Sequence, residues 1–189
     1  MEKIIGKYKI KIVQDTDPSD PRGDDNLGTM VCFHGRYNLG DKHDYRARDY
    51  DGWDEMEAAI IKRENVGVIL PLYLYDHSGL TMNTTGFSCP WDSGQVGFIY
   101  ISKKKMLEEY GGKIVTAKLK ERVKQYLIGE VETYDQFLTG DVYGYQIFEI
   151  DEDEEYDIDS CWGFYGEDYC MTEAESIVNH LIEKETVKI

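Results

Sequence analysis

The sequence predicts an α+β fold, a single compact domain of 189 residues with a mostly antiparallel sheet and about three helices. Three observations carry this. Several segments alternate apolar and polar side chains, the period of a strand with one wet face. Others repeat apolar residues at helical spacing between suitable ends. Strands and helices also follow one another without the regular strand–helix–strand rhythm of a parallel sheet.

Residues 3–13 alternate Ile4, Tyr8, Ile10 and Ile12 against Lys3, Lys7, Lys9 and Lys11, a half-buried strand. Residues 15–27, rich in Asp, Pro and Gly, read as a loop, and 28–34 (GTMVCFH) as a short strand. Residues 35–52 are polar and dense in turn formers, too long for a simple turn. Residues 53–64 (WDEMEAAIIKRE) read as a helix, with acids in the first turn and Lys62 and Arg63 in the last. Residues 66–75 (VGVILPLYLY) read as a central strand in which Pro71 demands a bulge or an edge. A second long loop spans 76–95, and 96–102 (VGFIYIS) is a strand. A helix begins at 103–110, is interrupted by Gly111 and Gly112, and resumes over 113–128. Residues 130–138 fit either helix or strand. Residues 142–150 and 156–165 read as a hairpin around the acidic turn 151–155. Residues 171–185 read as an amphipathic helix with Thr172 and Glu175 as a capping box. No repeat or linker appears, so the reading is one domain over residues 1–189.

At 41% hydrophobic and 13% aromatic the chain is too apolar for a disordered acidic protein. The N-terminus lacks the apolar core of a secretion signal, and no run approaches the roughly 20 apolar residues of a membrane span. A soluble cytoplasmic protein is expected. Cys32, Cys89, Cys161 and Cys170 are then expected as free thiols.

Charge is distributed unevenly. Residues 125–183 contain no lysine or arginine and 17 acids, whereas 1–124 hold 19 acidic and 19 basic side chains. The formal charge of −16 therefore comes from the C-terminal third. Such a field repels DNA and suits a basic partner surface, including a nucleic-acid-binding groove. No membrane contact is expected.

Candidate chemistry is sparse. His77, Cys89 and Asp92 are the parts of a thiol hydrolase, and equally of a loop whose polar groups bond its own backbone. Cys32, His34 and His43, with Cys89 or His77, have zinc-ligand chemistry but no paired short spacing. The acidic run 151–155 lacks the glycine and alternating ligands of a calcium loop. There is no phosphate-binding glycine motif, HExxH or GxSxG, so no cofactor and no metal is expected. Arg36, Lys42, Arg46 and Arg48 lie among Tyr37, Tyr45 and Tyr50, but Asp41, Asp44, Asp49 and Asp51 nearly cancel their charge; a salt-bridged surface is expected.

Three stretches, DNLGTMVCFHGRYNLGDKHD (25–44), LPLYLYDHSGLTMNTTGFSCPWDSGQVGFIYISK (70–103) and GEVETYDQFLTGDVYGYQI (129–147) with SCWGFYGEDYC (160–170), together resemble a family of small acidic proteins carried by bacteriophages and other bacterial mobile elements. Gly35 stands where a basic residue is expected beside Arg36. The resemblance extends to anti-CRISPR inhibitors of Cas9. It implies a non-enzymatic protein that binds Cas9 or its guide-RNA complex and blocks DNA binding or cleavage. Cas9 reads DNA through arginines and a positively charged channel, and carboxylates can stand where phosphates sit. The expected face is Glu130, Glu132, Asp135 and Asp141, the tip Asp151, Glu152, Asp153, Glu154 and Glu155 with Asp157 and Asp159, and Glu167 and Asp168. Tyr134, Tyr143, Tyr145, Tyr156 and Tyr165 are expected as anchors. The alternatives are a Cys89/His77 enzyme that modifies a host target, a DNA mimic aimed at another host protein such as a restriction enzyme, and an acidic regulator of some other basic partner.

Overall fold

The structure, a computed structural model, describes residues 1–152 and 154–186. In chain order the strands are β1 Glu2–Ile5, β2 Tyr8–Gln14, β3 Thr29–Cys32, β4 Val66–Asp76, β5 Leu80–Asn83, β6 Ser93–Ser102, β7 Val142–Asp151 and β8 Glu154–Tyr165. The helices are α1 Trp53–Glu64, α2 Lys103–Tyr110, α3 Ala117–Thr139 and α4 Glu167–Thr186. Four helices and eight strands in two antiparallel sheets, among the described residues, make the α+β class plain. The chain divides into two compact units. Unit 1 is Met1–Asp20 with Thr139–Ile189, and unit 2 is Pro21–Leu138.

Unit 1 has the sheet order β1-β2-β7-β8, every neighbour antiparallel. One face is covered by α4, where Tyr8, Ile10, Ile12, Tyr145 and Ile147 meet Cys170, Met171, Ala174 and Val178. Covering only one face is what the alternating sequence of β2 and β7 encodes. The single strand expected over residues 3–13 is instead a hairpin. It turns at Gly6, whose φ of +61° suits glycine, and Ile5 pairs with Tyr8. The two-residue turn puts Ile5 on the α4 side and leaves Ile4 exposed, against the expectation that Ile4 faces inward.

Unit 2 has the order β3-β6-β4-β5 and is covered on both faces. On one side Ile99, Ile101 and Leu72 pack against Met106 of α2 and Val123, Leu127, Val131 and Tyr134 of α3. On the other, Phe98 and Tyr100 pack against Met56 and Ile60 of α1. A strand covered on both faces needs no polar side, which is why β4 and β6 read as continuous apolar runs. Pro71 sits where β4 pairs with β6 alone, because the pairing of β4 with β5 begins only at Tyr73, and a register shift follows between Leu72 and Tyr73. The proline therefore breaks no second ladder.

Three further expectations change. The loop expected over residues 76–95 contains β5, which Asp135 of α3 holds by accepting from the Met82 amide and the Thr81 hydroxyl, both at 2.6 Å. Residues 130–138 are helical, the second half of α3, because the Val123, Leu127, Val131 and Tyr134 stripe continues through them. Helix α4 starts at Glu167, so Thr172 is no cap; its hydroxyl donates to the Asp168 carbonyl inside the first turns. Gly166, at φ +90°, turns the chain into the helix, and Glu167 and Asp168 complement its positive end.

Candidate functional site

The units partition the charge further than sequence position does. Unit 1 carries 19 acidic and 6 basic residues of the sequence, unit 2 carries 18 and 15. Net charge is thus −13 against −3. Of the unit 1 lysines, Lys3 pairs with Glu175 at 2.7 Å, Lys7 with Glu149 and Glu185 at 2.5 and 2.9 Å, and Lys9 with Glu155 at 2.9 Å. Hydrogen bonding to Glu149 and Glu185 holds the Lys7 ammonium well above its ordinary value, and Glu155 does the same for Lys9.

The β7–β8 hairpin concentrates the acids, Glu149 and Glu155 among them already paired with Lys7 and Lys9. Asp151 pairs with Glu154 at its tip, and Glu152 takes the left-handed turn position with φ 53°. Asp153 lies outside the described residues. Glu154, Glu155, Tyr156, Asp157 and Ile158 are all exposed. Ladder register places Glu155 and Asp157 on one face, beside Ile150 and Phe148, and Glu154 and Tyr156 on the other. The Tyr156 hydroxyl donates to Glu154, which raises its phenol above the ordinary value. Asp159 is half-buried and accepts from the buried Tyr145 hydroxyl at 3.2 Å; burial, with this carboxylate beside it, pushes the phenol up to about 12. Glu167 lies 3.4 Å from the N-terminal ammonium, and Asp168 is exposed.

Two residues leave the expected face. Glu130 is 9% exposed; it pairs with Arg22 at 3.2 Å and accepts the Leu27 amide at 2.6 Å and the Gly28 amide at 3.1 Å. Arg22, itself 4% exposed, also donates to Asp41 at 2.9 and 2.7 Å. Burial opposes the guanidinium charge, but Asp41 and Glu130 outweigh it and hold its pKa above the ordinary value. Asp135 is occupied by β5, as described above. Both carboxylates serve backbone amides that have no ladder partner, which is what a loop beside a helix needs. Glu132 remains exposed on α3 and Asp141 half-buried before β7. Among the expected anchors, Tyr134 and Tyr145 are buried in the cores, Tyr143 and Tyr165 are half-buried and Tyr156 is exposed. Trp162, not anticipated, lies over Gly144, where a Cβ would stand 2.3 Å from its ring.

The other candidates take local partners. Cys89 Sγ donates to Asp92 Oδ2 at 3.7 Å, and His77 Nδ1 lies 3.4 Å from the same oxygen. The contacts run thiol–carboxylate–imidazole, whereas a nucleophile needs the imidazole next to the thiol. His43 Nε2 sits 2.9 Å from the Cys32 carbonyl, and burial pushes the Cys32 thiol up to about 12. Among the described residues no three His, Cys, Asp or Glu converge as metal ligands. Arg36 pairs with Asp76 and lies over Tyr37, Arg48 pairs with Asp49, and the Tyr45 hydroxyl donates to Glu64 at 2.8 Å. No helix among the described residues is long and apolar enough to cross a membrane. Comparison of the chain with protein-family models, with curated proteins and with solved structures finds no match.

Proposed function

We propose that this chain is a non-enzymatic anti-defence protein of a phage or mobile element. In this reading it acts in the host bacterial cytoplasm and binds Cas9, or its guide-RNA complex, through the acidic hairpin of unit 1. The observation that carries the reading is the run of exposed carboxylates on β7–β8, Asp151, Glu152, Glu154, Glu155 and Asp157, within a unit of net charge −13. Carboxylates held on a rigid ladder can meet guanidinium groups bidentately, as phosphates do. Exposed Tyr156 and Trp162 add aromatic area beside the charge. A field of this density also speeds encounter with a basic groove. The resemblance of the three sequence stretches to the phage-borne family favours Cas9 among basic partners.

The test is an order-of-addition cleavage assay with a purified Cas9–guide complex. Inhibition is expected when the protein is added before target DNA, weaker when it is added after, and declining as salt rises. Reversal of Asp151, Glu154 and Asp157 to lysine should abolish it. Full inhibition by the reversed protein, or none by the native protein across several Cas9 orthologues, overturns the proposal.

A further inference from the structure

Two sheets give four edge strands, and among the described residues three of them, β1, β3 and β5, have four residues each. β1 carries Lys3, and β3 is bridged on its outer side by Gly40 opposite Val31. Short, charged or covered edges keep folded proteins from pairing with other chains. β8 is different. It has twelve residues, no lysine, arginine or proline, and exposed side chains along most of its length. Three features interrupt it. Register shifts lie opposite residues 143–145, where Gly163 takes φ +86°, and between Ile147 and Phe148, where Ile158 falls between their partners Asp159 and Asp157; the Ser160 amide is taken by Asp159 Oδ1 at 2.9 Å. Residues 154–157, Glu-Glu-Tyr-Asp, remain in unbroken register with β7.

We infer that residues 154–157 form a docking edge that accepts, by strand addition, an extended partner segment in which lysine or arginine alternates with apolar residues. This rests on the reading of the hairpin as the partner-binding surface. Strand addition draws affinity from main-chain hydrogen bonds and specificity from alternate side chains. Lysines on one face of an added strand lie beside Glu155 and Asp157; apolar residues on the other face lie beside Tyr156. A second copy of this chain fits worse, because antiparallel pairing over the same four residues sets Glu154 of one copy against Asp157 of the other, and like charges opposite one another destabilise a ladder.

The experiment titrates the whole protein with three fluorescent octapeptides: alternating lysine–valine, the same sequence N-methylated at alternate residues, and alternating glutamate–valine. Amide hydrogen exchange is followed in parallel. The lysine–valine peptide is expected to bind and to slow exchange at residues 154–157. Its N-methylated form, with equal charge but fewer donors, is expected to bind about tenfold more weakly or worse. The glutamate peptide should not bind, and Glu155→Lys with Asp157→Lys should remove binding while circular dichroism stays unchanged. Equal binding of the first two peptides overturns strand addition and leaves the charge-based reading standing. Protection of residues 154–157 in the free protein, with a concentration-dependent dimer in light scattering, assigns the edge to a second copy and overturns the inference. Peptide binding as expected, with no inhibition of Cas9, sinks the Cas9 proposal and keeps the docking edge.

Discussion

The carboxylates of unit 2 that belong to the acidic third of the sequence turn toward the backbone, and those of the unit 1 hairpin turn toward water. Glu130 and Asp135 each gather two donors that lack ladder partners, beside a buried arginine in one case and a short strand in the other. Asp151, Glu152 and Asp157 sit on a tip and an edge strand, exposed. The same residue type, in one continuous stretch of negative sequence, thus stabilises the fold in one unit and shapes the surface field in the other. Net charge sums both jobs and distinguishes neither.

Substitutions separate the two roles. Glu130→Ala takes a carboxylate from the buried Arg22 and the acceptor from the Leu27 and Gly28 amides, and should destabilise unit 2 by about 3–5 kcal/mol. Chemical denaturation measures this directly; a change below 1 kcal/mol, roughly the worth of a surface pair, would place Glu130 among the surface acids. Next come the glycines. A Cβ at Gly97 meets the Val31 carbonyl at 1.9 Å, rigid backbone in a sheet covered on both faces. At Gly144 the nearest group is the Trp162 ring, an exposed side chain that can move, with the Cys161 carbonyl less crowded at 2.9 Å. Gly97→Ala should therefore cost about 3 kcal/mol and Gly144→Ala nearer 1 kcal/mol, with Trp162 fluorescence shifting only in the second. Equal losses would mean that the open face of unit 1 is as tightly packed as the covered sheet of unit 2.

Each unit also buries a thiol. Cys32 in unit 2 and Cys170 in unit 1 have pKa values pushed up by burial to about 12 and about 11, from an ordinary 9.0. The folded state thus holds these protons more tightly than the unfolded chain does. Their contribution is fully present below pH about 9 and is lost as pH rises toward about 11 and then 12. Stability should be flat across neutral pH from these groups and fall above it, and the fall should shrink in Cys32→Ala. In the native protein a thiol reagent should modify exposed Cys161 and half-buried Cys89 well before Cys32 and Cys170. The smallest stability effect is expected at the hairpin. Asp157→Lys should change unfolding free energy by no more than about 0.5 kcal/mol, while weakening partner binding and its salt dependence. A large loss of stability there would move Asp157 into the class of Glu130.

Most elements were legible because their periods are local. The alternation of β2 and β7, the apolar runs of β4 and β6 and the stripe of α3 follow from how many faces of each element are covered. The misreadings have physical reasons as well. A two-residue turn at Gly6 keeps the polar–apolar alternation running, so one strand and a hairpin look alike until the register inverts Ile4. Leu80–Asn83 is too short to show a period and is held by Asp135, which lies 54 residues from Thr81. Thr172 with Glu175 matches a capping box, but Gly166 and the acids after it start α4 first. Of the candidate surface, the hairpin acids were legible as exposed because a tip cannot be buried, whereas nothing local marks Glu130 as the acceptor for residues 27 and 28.

By itself the sequence determined the α+β class, the acidic character and the placement of the negative charge around one hairpin, since composition and short-range periodicity act without knowledge of neighbours. Only the tertiary structure decided that the N-terminal hairpin joins the C-terminal strands in one sheet, that β8 is its one long edge, and that Glu130 and Asp135 face inward. Those outcomes depend on which distant backbone groups lack hydrogen-bond partners, and a buried amide without one is too unfavourable for any nearby carboxylate to be left in water.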